Sequence, residues 1–142
     1  MATDGDDVLI GTEDADTLDG GPGNDTMIGL GGDDTYFVDS AEDIVIEDEL
    51  GGIDTVVSSA SFFALPDNVE ILRLVGDAST GHGNSLQNEL YGNARNNSLF
   101  GNEADDLLDG GAGNDSLDSD GGNDQLYGRE GDDLLRAVDG DD

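Results

Sequence analysis

Residues 101–136 read GNEADDLLD, GGAGNDSLD, SDGGNDQLY and GREGDDLLR, which are four consecutive units of nine residues. Every unit has Asp at its sixth position and Leu at its eighth. The residues in register are Asp106, Asp115, Asp124 and Asp133, and Leu108, Leu117, Leu126 and Leu135. A nine-residue period is too short for helical repeats, which need roughly 30 residues or more per unit. It predicts an all-β coil in which a turn and a short strand recur with each unit.

The same frame runs through most of the chain. Units 83–91 and 92–100 keep the leucine but carry Asn88 and Asn97 in place of the aspartate. The N-terminal units are 2–10, 11–19, 20–28, 29–37 and the glycine-free 38–46, with Asp7, Asp16, Asp25, Asp34 and Asp43 at position six. From residue 47 the frame slips. The sequence therefore divides into an N-terminal repeat block (1–46), a degenerate section (47–82) and a C-terminal repeat block (83–142).

The degenerate section has a strand pattern of its own. Residues 58–65 and 69–75 predict two strands joined by a turn at 66–68, and residues 76–83 predict a loop. Gly29 and Gly83 are 54 residues apart, which is six whole units. This spacing favours a continuation of the same coil with a locally thicker apolar core, and an inserted lobe is the alternative.

The charge of the chain is extreme, because 35 acidic residues stand against four arginines and give a net charge of -31. Self-repulsion of this size acts against a compact state and predicts folding that depends on counter-ions. It also argues against nucleic acid and against an anionic membrane as partners. No apolar run approaches the ~20 residues of a membrane span. Residues 1–10 lack the basic and apolar regions of a cleaved export signal, so an exported chain would need another route.

The residue types in each unit predict a metal site. Glycines at positions one, two and four permit backbone conformations that other residues rarely adopt, and positions seven to nine form a strand whose middle residue points inward. If two units make one turn, aspartates 18 residues apart face each other at ~4.8 Å spacing between strands. A hard divalent ion with six to eight oxygen ligands fits such a space, and calcium suits it better than magnesium.

The units resemble the G-G-x-G-x-D-x-U-x nonapeptide of the RTX (repeats-in-toxin) family. This resemblance implies a right-handed parallel β-roll, or β-solenoid, of 18 residues per turn that binds several Ca²⁺ ions, with a calcium-poor section at 47–82. It implies that one loop supplies the carbonyl oxygens of positions two and four with its Asp. The loop 18 residues further on supplies the carbonyls of positions one and three with its own Asp.

Five ligand sets follow when the resemblance is applied residue by residue. They are Thr3, Gly5 and Asp7 with Gly20, Pro22 and Asp25; Thr12, Asp14 and Asp16 with Gly29, Gly31 and Asp34; Asn102, Ala104 and Asp106 with Ser119, Gly121 and Asp124; Gly111, Gly113 and Asp115 with Gly128, Glu130 and Asp133; and Asp120, Gly122 and Asp124 with Ala137, Asp139 and Asp142. Weaker pairs are Gly21, Gly23 and Asp25 with Val38, Ser40 and Asp43, and the Asn-containing pairs Asn88–Asp106 and Asn97–Asp115. Asn84, Asn93 and Asn102 at position two are expected to form an amide ladder.

The leading functional hypothesis is a non-catalytic module of a secreted bacterial protein. Proteins of the RTX family leave the cell unfolded through a type I secretion system and fold on calcium outside, and the resemblance implies the same here, with a parent domain elsewhere. No catalytic constellation is present, since His82 has no partner residues in the sequence. One alternative is a surface-binding or adhesin module that recognises polysaccharide or a cell surface. The other is an appendage of a polysaccharide-modifying enzyme, lipase or protease.

Overall fold

The computed structural model describes residues 2–138 and 140, and these residues form fifteen short strands without a helix. The strands are β1 (Val8–Ile10), β2 (Thr17–Asp19), β3 (Thr26–Ile28), β4 (Thr35–Val38), β5 (Ile44–Ile46), β6 (Thr55–Ser58), β7 (Phe62–Ala64), β8 (Ile71–Leu74), β9 (Thr80–His82), β10 (Glu89–Tyr91), β11 (Ser98–Phe100), β12 (Leu107–Asp109), β13 (Ser116–Asp118), β14 (Gln125–Tyr127) and β15 (Leu134–Arg136). Within the described part of the chain, no helical segment has the length and apolar character needed to cross a membrane.

The strands pair in parallel with the strand after next, so the chain coils. Even-numbered strands form one seven-stranded sheet, from β2 to β14. Odd-numbered strands form a three-stranded sheet, β1 to β5, and a five-stranded sheet, β7 to β15. Each turn of the coil therefore contributes one strand to each of two opposite faces. About seven turns stack in this way, which confirms the predicted all-β parallel solenoid.

The middle residue of each strand points into the space between the two faces. Two columns of apolar side chains fill this space, and their buried members include Leu18, Tyr36, Val56, Leu72, Leu90 and Leu108 on one side and Met27, Val45, Phe63, Leu99 and Leu117 on the other. In the three-residue strands the two flanking residues point outward, as the alternation of an extended chain requires. The leucine period of the sequence is thus the core of the fold.

The coil continues through section 47–82, which confirms the continuation and excludes the inserted lobe. Thr35 pairs with Thr55 and Thr55 with Ile71, and the hydrogen bonds of the corresponding loops span 20 and 16 residues. Two extra residues in one turn are therefore offset by two fewer in the next, and the 18-residue spacing resumes at β10.

Two strand predictions in this section were wrong. Residues 58–65 are not one strand, because the chain bends after β6 and re-enters the odd face only at β7. Residues 76–83 are not only a loop, because they contain β9. The inner residue of β9 is Gly81, where an added Cβ would stand 2.8 Å from Cδ2 of Leu72. The core leaves no room for a larger residue there, so the apolar signal of a strand is absent from the sequence.

The degenerate section supplies much of the apolar core, as its sequence predicted. Eight of the seventeen buried apolar residues lie in it, namely Val56, Ala60, Phe63, Leu65, Val69, Leu72, Leu74 and Ala78. Burial of this kind stabilises by about 25 cal/mol per Å² of apolar surface and needs no cation. This part of the coil is held by packing more than its two ends are.

Candidate metal centre

The residues at position six form two columns along the edges of the coil, where hydrogen bonds join successive turns. In each pair the backbone N–H of one residue donates to a carboxylate oxygen of the residue one turn further on. The 18-residue pairs are Asp7–Asp25, Asp16–Asp34, Asp25–Asp43, Asn88–Asp106, Asn97–Asp115, Asp106–Asp124 and Asp115–Asp133. Their donor–acceptor distances lie between 2.6 and 2.9 Å. One carboxylate oxygen, Oδ1, is thereby engaged in every pair.

In five loops a side-chain oxygen of the position-six residue accepts a hydrogen bond from within its own loop, and we call these loops closed. The backbone N–H of position two donates to it, as in Thr3 to Asp7 and Thr12 to Asp16, both at 2.6 Å. The same bond joins Asp39 to Asp43, Asn84 to Asn88 and Asn93 to Asn97. The hydroxyls of Thr3 and Thr12 donate to these carboxylates as well. A closed loop satisfies its own carboxylate or amide.

Six other loops are open within the described residues, because positions two and four both have positive φ. The pairs are Gly21 and Gly23, Leu30 and Gly32, Asn102 and Ala104, Gly111 and Gly113, Asp120 and Gly122, and Arg129 and Gly131. For non-glycine residues such as Leu30 and Asn102 this conformation costs roughly 1–2 kcal/mol. The N–H of position two in the loops of Asp25, Asp34, Asp106 and Asp115 does not bond the carboxylate.

The second carboxylate oxygen of these open loops is buried without a hydrogen-bond partner. This holds for Oδ2 of Asp25, Asp34, Asp106 and Asp115, whose residues are at most 2% exposed. An unpartnered buried acceptor costs about 1–3 kcal/mol, and more when it is charged. Burial raises the pKa of Asp106 to about 7 and also raises the pKa of Asp115. Carboxylates placed in this way fit a hard cation that approaches from within the loop.

The glycine at position one leaves the space that such a cation needs. A Cβ on Gly101 would stand 2.5 Å from Oδ2 of Asp106 and 3.2 Å from the carbonyl oxygen of Ser119 in the next turn. A Cβ on Gly11 would stand 2.8 Å from Oδ2 of Asp16 and 2.7 Å from the carbonyl oxygen of Gly29. The carboxylate of one turn and the position-one carbonyl of the next therefore border the same space.

The predicted ligand sets differ in whether their first loop is open or closed. Two sets have an open first loop, namely Asn102–Asp106 with Ser119–Asp124 and Gly111–Asp115 with Gly128–Asp133. The first loops of the two N-terminal sets are closed. The weaker pair of Asp25 with Asp43 has an open first loop. Asp139 and Asp142 of the fifth set lie outside the described residues.

The asparagines at position two do not form the expected amide ladder. Nδ2 of Asn84 donates to the carbonyls of Pro66 and Val69, each at 2.7 Å, and Nδ2 of Asn102 donates to the carbonyl of Gly83. Nδ2 of Asn93 donates to the carbonyl of Ala78. The ladder was wrong because residues nine apart lie on opposite edges, and each amide turns to a carbonyl of the preceding turn. At position six, Nδ2 of Asn88 and of Asn97 also donate to carbonyls of the preceding turn, whereas other loops leave a carboxylate oxygen unpartnered there.

One acidic cluster was missed by the sequence analysis. Carboxylate oxygens of Asp34, Glu47 and Asp54 lie within 4.8 Å of one another, and all three residues are buried. Burial, together with neighbouring carboxylates, raises the pKa of Asp54 to about 7 and raises the pKa of Glu47. The 20-residue turn places Asp54 at position six, and only its spacing of two residues before Val56 signalled this in the sequence.

The family of the chain follows from its repeats. A family model described as the RTX calcium-binding nonapeptide repeat (4 copies) matches residues 1–36, 82–117 and 113–142. The chain belongs to this family. Comparisons with curated proteins and with solved structures gave no match. This RTX chain is a calcium-binding repeat module, and the repeat matches leave out residues 37–81, where the turns of 20 and 16 residues lie.

Proposed function

We propose that this RTX module folds outside the cell when calcium enters its open loops. The proposal rests above all on the buried, unpartnered Oδ2 atoms of Asp25, Asp34, Asp106 and Asp115. These buried atoms have no protein donor, and calcium prefers carboxylate and carbonyl oxygens. When bound, the ion supplies positive charge and coordination, while the loops of the chain hold its ligands in place.

The ligand sets differ in how ready they are for an ion. The sets built on Asp106 with Asp124 and on Asp115 with Asp133 have open first loops, so they need no rearrangement of position two. The sets built on Asp7 and Asp16 must first break the bonds from Thr3 and Thr12. We therefore expect the C-terminal block to bind calcium more tightly than the N-terminal sets. Section 47–82, with Ser61 and Ser79 at position six of the odd edge, is the calcium-poor part.

Calcium binding stabilises the folded chain by linkage. A ligand that binds only the folded state adds RT ln(1 + [L]/Kd) per site, or about 2.7 kcal/mol when its concentration is 100 times Kd. Extracellular calcium modules have Kd values of roughly 10⁻⁴ to 10⁻³ M, so a cytosolic chain would remain unfilled. Sites that fill outside the cell but stay empty in the cytosol suit a protein that is exported unfolded through a type I secretion system. A parent domain would then supply any activity.

A calcium titration tests this function. The far-UV circular dichroism of the chelated protein should change to a β spectrum between about 0.1 and several millimolar calcium. Magnesium at the same concentration is the control, because its demand for octahedral geometry does not suit carbonyl-rich loops. A spectrum that calcium leaves unchanged would refute the proposal.

A second candidate function, binding to a surface, is favoured by the outer side of the odd strands. Ile10, Ile28 and Ile46 stand in register at position nine, and Ile10 and Ile46 are 63% and 44% exposed. Further along the same face the ring of His82 lies between Phe62, which it meets edge-to-face, and Phe100, to which it is tilted, with centroid separations of 5.2 and 4.4 Å. An outward apolar ladder of this kind fits a polysaccharide or cell surface. Co-sedimentation of the calcium-loaded protein with insoluble polysaccharide would test it.

A further inference from the structure

The three carboxylates of Asp34, Glu47 and Asp54, which we call the carboxylate trio, come from separate parts of the irregular turn. Asp34 precedes β4, Glu47 follows β5 and Asp54 precedes β6. Their exposed fractions are 1%, 8% and 0%. Neither Glu47 nor Asp54 lies in the residues that the repeat model matches. Two of the three members therefore come from the part of the coil that departs from the repeat.

The hydrogen bonds of the chain satisfy only part of the trio. Oδ1 of Asp34 accepts the N–H of Asp16 at 2.6 Å, and Oδ1 of Asp54 accepts the N–H of Asp34 at 2.7 Å. Oε2 of Glu47 accepts the N–H of Asp48 at 3.2 Å. Oδ2 of Asp34 and Oδ2 of Asp54 are buried and have no hydrogen-bond partner.

Both unpartnered oxygens point towards Glu47. An added Cβ on Gly29 would collide at once with Oδ2 of Asp34, Oε1 of Glu47 and the hydroxyl of Tyr36, which donates to that Oε1. An added Cβ on Gly51 would stand 2.8 Å from Oε2 of Glu47 and 3.4 Å from Oδ2 of Asp54. Four carboxylate oxygens and one phenol therefore line the same small region, which two glycines keep free of side chains.

Among the described residues, no cationic side chain neutralises the trio. The four arginines contact other groups: Arg73 lies over the ring of Tyr91, Arg95 pairs with Asp77, Arg129 with Asp109 and Arg136 with Asp118. Taking ions out of water without a partner costs several kcal/mol per ion. Three carboxylates held together in this way require positive charge from solution.

We propose that the carboxylate trio binds one hard divalent cation, calcium in an extracellular setting, through side-chain oxygens of Asp34 in a repeat loop and of Glu47 and Asp54 outside the matched repeats. The donor set contains only oxygen, which excludes the softer metals that prefer nitrogen or sulfur ligands. Three carboxylates favour tighter binding than the two of a repeat pair, because calcium affinity rises with the charge of the ligands. The inference goes beyond the proposed function, since it adds two ligands outside the matched repeats, Glu47 and Asp54, and does not require export.

Such an ion would join the N-terminal block to the apolar section. It would link the turn that precedes β4 to the turn that precedes β6 at the place where the spacing is 20 residues. Because the site has the higher charge, it fills at a lower calcium concentration than the repeat loops. The middle of the coil is then the first part to be fixed by metal.

Terbium luminescence tests the site, because Tb³⁺ replaces calcium at oxygen sites and emits when a nearby tyrosine is excited. The chain has three tyrosines and no tryptophan, and Tyr36 is the one whose hydroxyl contacts Glu47. Titration of the full chain should show one tight, tyrosine-sensitised equivalent. Glu47→Gln should weaken this phase at least tenfold, since loss of partners beyond the ligands alone costs roughly 10–100-fold in metal affinity. Tyr36→Phe should abolish the emission and leave displacement of a calcium dye intact.

Two matched variants decide the outcome. Glu49→Gln changes an exposed neighbour, and Asp106→Asn changes a repeat loop, so both should leave the tight phase unchanged. Circular dichroism of Glu47→Gln at saturating calcium should match that of the unmodified chain, which excludes a folding defect. An unchanged tight phase in Glu47→Gln, or its loss in Asp106→Asn, overturns the inference. Failure of calcium to fold the unmodified chain would refute the proposed function without affecting the terbium result.

Discussion

The backbone N–H of Asp106 donates to Oδ1 of Asp124 at 2.8 Å, one turn further along the coil. Asp106 leaves its own Oδ2 buried and without a hydrogen-bond partner. Position six therefore has two roles, since one oxygen fixes the stacking of the turns and the other is left for an ion. The same side chain therefore serves the stacking of the turns and, in the proposed function, the binding of calcium.

Asp106→Asn should reduce the calcium-dependent stability of the chain. An amide oxygen can still accept the N–H of Asn88, but the site loses one of its two carboxylates. We expect a loss of about 1–3 kcal/mol in the free energy of unfolding at saturating calcium, the contribution of one filled site. Urea unfolding measured with calcium and with chelator would check this. The control is Asp105→Asn at the adjacent exposed position, and an equal loss there would contradict the assignment.

Gly101→Ala should impair calcium binding more than its small size suggests. The new methyl group would lie 2.5 Å from Oδ2 of Asp106, in the space assigned to the ion. Gly121→Ala is the matched control, because it keeps the backbone carbonyl that the predicted ligand set uses, a Cβ there meets nothing within 4 Å and the residue has no positive φ. Calorimetric titration should show one fewer calcium ion, or a Kd raised at least about tenfold, for Gly101→Ala only. Equal behaviour of the two alanine variants would argue against an ion at this place.

The sequence predicted the coil but not the state of its loops. The leucine period gave the strands, their inward residues and the facing aspartates, because these depend only on the alternation of an extended chain. Whether a loop is open depends on φ at position two, where the backbone N–H of Thr12 competes for the carboxylate that an ion would use. The carboxylate trio depends on a turn of 20 residues followed by one of 16, and no local pattern encodes this compensation.

Acidification should have opposite effects on the metal-free and calcium-loaded protein. The pKa values of Asp54 and Asp106 are about 7 in the fold, above the ordinary 3.8, chiefly because of burial. At pH values between the ordinary and the raised pKa, the folded chain therefore binds more protons than the unfolded chain. The free energy of unfolding of the metal-free protein should fall as the pH rises from about 4 to 7. Calcium displaces these protons, and its affinity should fall as the pH drops below about 7.

Two measurements at pH 5 and pH 8 would check the prediction. With chelator present, the chain should be more compact by small-angle scattering at pH 5 than at pH 8. The calcium midpoint should be higher at pH 5. The Asp106→Asn variant should show a smaller change between the two pH values, since it removes one of the groups that titrate near 7. A metal-free chain that expands on acidification would contradict the buried-carboxylate account.

Thr12→Gly should convert a closed loop into an open one. Thr12 is β-branched and does not adopt positive φ readily, whereas glycine at the same position of other loops does. The substitution removes the hydroxyl bond to Asp16 and frees the backbone to turn its N–H away. We expect lower stability in chelator, by about 1 kcal/mol, and tighter calcium binding at the pair of Asp16 and Asp34. Thr12→Val separates the two effects, because it loses the hydroxyl but keeps the branched Cβ. Both threonine variants should be less stable than the unmodified chain when no metal is present. Only Thr12→Gly should bind calcium at a lower midpoint concentration. A lower calcium midpoint in Thr12→Val would show that the hydroxyl, and not φ, keeps the loop closed.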